Sequence, residues 1–253
     1  MARLLDDLIA SVISLDVRLR ACVARMEAGT DDEALHDLRV ATRRLRSLLR
    51  PLRGQPAADV LSQAAADLAT LSGPLRDLEV LIIELRSHGL DRLTHEREKG
   101  RRIGYAQLLL APELPRLFQV LEAWPHLMRV SHREGLLKGL RKSIEKSLAK
   151  NRSRLELALR DPSHDRHRLR LLIKRMRYSL EAYPGFIDLS PRALRLLVGA
   201  QTVLGNWHDN FQWLARARLE PDLRPRTKAW ELAMHAAEVR SDRVLEKLRR
   251  QLG

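Results

Sequence analysis

Residues 36–49 read HDLRVATRRLRSLL, and the rest of the chain is best understood outward from them. On a helical wheel of about 100° per residue, His36, Arg39, Arg43, Arg46 and Arg50 fall within a sector about 80° wide. Leu35, Leu38, Thr42, Leu45, Leu49 and Leu52 fill a second sector, about 100° away. The spacing predicts an amphipathic helix whose leucines are buried and whose cations run along the shoulder of that contact. Helices that carry several cations in line ordinarily place an acid four residues off to relieve the repulsion. Here residues 38–54 contain no Asp or Glu.

The pattern recurs. Residues 167–180 read HRLRLLIKRMRYSL, with His167, Arg170, Lys174 and Arg177 in the basic row. Leu169, Leu172, Met176, Leu180 and Tyr183 form its apolar partner, and no acid falls between Arg166 and Leu180. With one residue of slip, Gly73 and Asp77 match Gly205 and Asp209. An internal duplication into two four-helix repeats, 1–124 and 131–253 of a single domain, is the economical expectation.

The wider composition agrees with an all-α chain. Its 253 residues carry 46 Lys+Arg against 32 Asp+Glu, a formal net charge of +14. Hydrophobic residues reach 45%, too many for a disordered polycation. Aromatics are only 4%, which argues against an antiparallel sandwich and against single-strand readers built on stacking platforms. Leu, Arg and Ala dominate, and no period-2 stretch stands out. Cys22 is the single cysteine, so no internal disulfide framework exists. The N-terminal stretch is interrupted by Asp6, Asp7 and Asp16, unlike a signal peptide, and no run approaches the ~20 apolar residues of a membrane span. A soluble, cytoplasmic, membrane-free protein is expected.

Glycine and proline punctuate the helices. One is predicted over about 3–28, stopped by Gly29, and a second to about Leu52. A third covers about 57–87 with a break at Gly73-Pro74, and a fourth ends near Leu110. Pro112, Pro115 and Pro125 are expected to bracket a short connecting helix. A long helix over about 132–160 follows, then 164–183 after Asp161-Pro162-Ser163, 190–218, and a last one from near Pro225 to Leu252.

Arginine presents a planar fork that pairs two phosphate oxygens at once and stays charged at any relevant pH. Two such rows facing each other would make a groove attractive to a regularly charged polyanion. Lys138, Arg141 and Lys142, followed by Lys146, Lys150, Arg152 and Arg154 on the expected long helix, add positive charge. Binding should weaken steeply with salt, by analogy with nucleic acids.

HDLRVATRRLRSLLRPLR, HRLRLLIKRMRYSLEAY and the two Gly-x-x-x-Asp segments resemble the CHAD family, the conserved histidine α-helical domain, over essentially the whole chain. The resemblance implies two four-helix bundles flanking a basic central channel that binds inorganic polyphosphate, and association with polyphosphate granules in bacteria. The implied binding positions are His36, Arg39, Arg43 and Arg46, then His167, Arg170, Lys174 and Arg177; Arg50, Lys138, Arg141 and Lys142 extend the set by their charge. The chain departs from symmetry where Glu181 follows Leu180 in place of Arg50 after Leu49, so that end of the second row should be less basic.

Other chemistry is less well supported. Asp77 and Asp209 are expected to be structural, each pairing with an arginine of a facing helix such as Arg44 or Arg175. His164 and His167 form a His-x-x-His pair, but a divalent metal among arginines is disfavoured. Glu96-Arg97-Glu98-Lys99 fails the Glu-x-Glu-x-Lys pattern of triphosphate tunnel enzymes. There is no P-loop or nucleophile elbow, and the His208-Asp209 dipeptide says little by itself. Trp124, Trp207, Trp213 and Trp230 read as core or helix-junction residues, with base stacking as the other use. The expected function is therefore non-catalytic polyphosphate binding, with no cofactor or metal. The alternative is non-specific nucleic-acid binding through the same basic surface.

Overall fold

A computed structural model describes residues 2–161 and 165–252, and the regular structure there is helical throughout. The order is α1 (Ala2–Ala28), α2 (Ala34–Leu49), α3 (Pro56–Leu71), α4 (Gly73–Ser87), α5 (Asp91–Leu110), α6 (Glu113–Arg133), α7 (Leu140–Arg160), α8 (Arg166–Ala182), α9 (Pro191–Ala217) and α10 (Thr227–Leu252). Short 3-10 turns cover Arg50–Leu52 and Pro221–Arg226. The chain divides into two compact units, Met1–Ile144 and Glu145–Gly253.

In the first unit α2 is central. It packs on α1 and α3, while α6 lies against α3 and α1, and α5 against α4. Leu35, Leu38, Leu45 and Leu49 of α2 are buried as the wheel requires. The chain reverses at Gly29, Gly54 and Gly89, all with positive φ, where a side chain would be strained. The break expected at Gly73-Pro74 falls one residue earlier, at Ser72 between α3 and α4.

The stretch from Pro112 is not a short connector. It forms the 21-residue helix α6, with Pro125 inside it. The proline forfeits one ladder bond, but Leu114, Leu117, Leu121, Trp124 and Met128 make an unbroken buried stripe on either side of it. Nor is there one helix over 132–160. Gly135 (φ 72°) and Gly139 (φ 78°) turn the chain between α6 and α7, which puts Lys138 in that turn and not on a helix.

The second unit is a four-helix assembly. Leu155 and Leu159 of α7, Leu169, Ile173 and Met176 of α8, Leu197 and Leu204 of α9, and Leu245 and Leu248 of α10 share one core. Asp165 caps α8 by accepting from the Arg168 amide at 3.0 Å, and Ser190 caps α9 by accepting from the Ala193 amide at 3.1 Å. The first unit has more parts: its α3 and α4 are separate helices, and α6 is additional to the four expected.

Candidate functional site

The first basic row lies on α2 and the turn after it. His36, Arg39 and Arg43 are half-buried, while Arg46 and Arg50 are exposed. Arg39 is the most committed member. Its Nη1 donates to the Ala69 carbonyl (2.9 Å) and to Ser72 Oγ (3.0 Å), tying α2 to the C-terminal end of α3. A cation there also suits the negative end of the helix dipole. Burial depresses the Arg39 pKa; the Asp77 carboxylate opposes this, and Arg43, Arg76 and Arg46 reinforce it. Asp77 thus acts on Arg39 of the facing helix. Arg44 instead lies on the α1 side of α2, beside a cavity of about 380 Å³ shared with Arg18, Cys22, Arg25 and Asp37. There Arg25 bridges Asp31 and Asp37, the latter at 2.9 Å.

Arg76 of α4 joins this row. Its charge, after burial itself, is the largest influence lowering the His36 pKa, with Arg43 adding to it and Glu33 and Asp37 opposing. A buried carboxylate holds Arg76: its Nη1 donates to Glu79 Oε2 at 2.9 Å, and the Tyr105 hydroxyl of α5 donates to Glu79 Oε1. The two charged side chains are 18% and 4% exposed, so the pair is fixed in place.

The second row lies on α8. His167 is exposed, and Arg170, Lys174 and Arg177 are half-buried. Arg177 faces Glu181 at 3.4 Å and lies over the Tyr178 ring at 5.2 Å, so the acid at that end of the row does offset charge. Arg175 points the other way; burial and then Arg154 of α7 lower its pKa. Asp209 is half-buried on α9. Lys138, Arg141 and Lys142 are exposed, Lys138 in the turn and the other two in the first turn of α7.

His208 of α9 completes this second row. Its ring lies 5.7 Å from that of His167. Burial first, then Arg170, His167 and Lys174, lowers its pKa to about 4. Its Nδ1 is buried and accepts or donates no hydrogen bond. Trp207 sits 6.4 Å from His208 and stacks on Phe211 at 5.7 Å with 22° between planes. Trp207 also donates to Glu238 of α10 at 3.2 Å. Trp124 and Trp230 are buried, whereas Trp207 and Trp213 are partly exposed.

Sequence reasoning placed each basic row on a single helix, as the structure has them on α2 and α8, and did not anticipate that Arg76, Glu79, Tyr105 and His208 stand beside those helices. For Arg76 and His208 the signal available was their place in the Gly-x-x-x-Asp segments, where Arg76 precedes Asp77 as His208 precedes Asp209; Glu79 and Tyr105 lie outside those segments. Among the described residues no cluster of three or more His, Cys, Asp or Glu could hold a metal. His164 of the His-x-x-His pair lies outside the described residues. No helix described is long and apolar enough to cross a membrane.

The arrangement can bind anions densely: each row offers several guanidinium or ammonium groups about one helical turn (~5.4 Å) apart, next to an imidazole. Nothing in either row pairs a nucleophile with a base. Comparison with known proteins gives two findings. The profile of the CHAD domain matches residues 15–220. A solved structure, the CHAD domain from the plant Ricinus communis, superposes with a TM-score of 0.66 at 26% identity, over 98% of this chain and 91% of that one. No curated protein matches.

Proposed function

Because the chain belongs to the CHAD-domain family, we propose that it binds inorganic polyphosphate on its two basic rows and does not catalyse its breakdown. One observation carries this reading. Each of α2 and α8 carries a row of cations about one helical turn apart, with Arg39 and Arg43 of the first and Arg170, Lys174 and Arg177 of the second half-buried, within stretches 38–54 and 166–180 whose sequence holds no Asp or Glu. Half-buried guanidiniums are costly to keep near one another without an anion, and a phosphate chain supplies anions at regular spacing. Counterion release then makes the affinity strongly salt-dependent. In the cell the same affinity would carry the protein to polyphosphate granules.

The test is charge reversal at one position in each row. Arg43→Glu combined with Lys174→Glu should abolish binding of long-chain polyphosphate while far-ultraviolet circular dichroism stays unchanged. Binding that survives with the same salt slope would sink the proposal. Duplex DNA at equal phosphate concentration should fail to displace the polyphosphate. A phosphate-release assay with added divalent metal should stay at blank.

A further inference from the structure

We propose that the second row also takes nucleoside triphosphates, with the base stacked on Phe211 and Trp207 and the phosphates held by His167, Arg170 and Lys174. This rests on the anion-binding reading of the row and adds a second ligand class to it. The observation is a continuous file of four rings. Phe211 stacks on Trp207, Trp207 adjoins His208, and His208 adjoins His167, with centroid separations of 5.7, 6.4 and 5.7 Å. One end of the file is a phenyl ring left 50% exposed. The other end stands among the cations whose charges act on His208.

The contrast with the first row sharpens the point. In the register set by Gly73–Gly205 and Asp77–Asp209, Arg76 falls opposite His208 and Glu79 opposite Phe211. An Arg–Glu pair with a buried carboxylate therefore stands in one unit where the other exposes an aromatic shelf. An exposed phenyl ring contributes nothing to a purely inorganic anion. It does offer a π-face to a flat heterocycle, and such stacking tolerates any base. A ligand with a base at one end and a polyphosphate tail at the other matches both ends of the file.

The experiment compares ATP with ribose 5-triphosphate, which keeps the sugar and the phosphates and lacks the base. Wild-type protein should bind ATP about tenfold more tightly, the gain one stacked base typically gives. Trp207 emission should be quenched by ATP alone. Phe211→Ala, a change at an exposed side chain, should erase the preference and leave ribose 5-triphosphate binding unaltered. Equal binding of the two ligands by wild type overturns the shelf, and so does an equal loss of both in Phe211→Ala. Failure of ATP to bind overturns it as well. If long-chain polyphosphate also fails to bind, the anion-binding reading falls with it; if polyphosphate still binds, that reading stands alone.

Discussion

The sequence register that sets Gly73 against Gly205 and Asp77 against Asp209 also sets Arg76 on α4 against His208 on α9, and the surroundings of the two differ. Arg76 donates to the Glu79 carboxylate, which the Tyr105 hydroxyl holds from the other side. His208 has no such carboxylate in the matching position, is neutral near pH 7, and sits with its pKa near 4 among cations. The first row therefore gains an arginine from a neighbouring helix and the second a histidine that is neutral near pH 7. Burial and neighbouring cations stop the imidazole from charging until an anion arrives to offset them.

The largest effect should separate the rows directly. Arg43→Glu is expected to weaken polyphosphate binding about a hundredfold at pH 7, near 2.7 kcal/mol, and Lys174→Glu distinctly less. Calorimetric titration of the two variants checks this, and equal losses would break the comparison. Next, Glu79→Gln should lower stability by about 2 kcal/mol, because it leaves half-buried Arg76 with a weaker partner. A urea melt measures that. The matching change Phe211→Ala should cost far less.

A smaller effect is expected from His208→Arg, which copies the first unit into the second. Affinity at pH 7 should rise a fewfold, and its dependence on pH should flatten. In the wild type the sign is set by His208 together with His36, whose pKa burial and Arg76 also lower. A bound anion raises the His208 pKa, so affinity grows as pH falls below the pKa of the complex and levels off near 4, the value of the free protein. Without ligand the same group acts against folding. The unfolded chain takes up the proton near 6.5 and the native one only near 4, so stability declines as pH falls through that window. Thermal melts at several pH values should therefore show a smaller loss of melting temperature on acidification with polyphosphate than without it. The smallest change is Glu181→Gln, which releases Arg177 from a 3.4 Å pair and should raise affinity about twofold, the size of a helical i,i+4 pair.

The sequence made the rows on α2 and α8 legible because each is local to one helix, and periodicity reports what one helix does. Their leucine stripes, their missing acids and the glycine stops at Gly29 and Gly54 all lie within a few residues of one another. What was hidden came from other helices. Arg76 and His208 reach their rows only once α4 and α9 are packed, and no spacing within α2 or α8 reveals them. Pro125 misled for a related reason: propensity argues for a break, while the buried stripe from Leu114 to Met128 carries the helix through it. Gly135 and Gly139 ended a helix that the flanking apolar pattern seemed to continue.

Arg39 carries a lesson for anyone redesigning this surface. Its guanidinium fastens α2 to the Ala69 carbonyl and the Ser72 hydroxyl, so it belongs to the scaffold as much as to the coating of charge. A lysine there would preserve the charge but end one bond short of Nη1, the nitrogen that serves both acceptors. The hinge between two helices would loosen although no charge had changed.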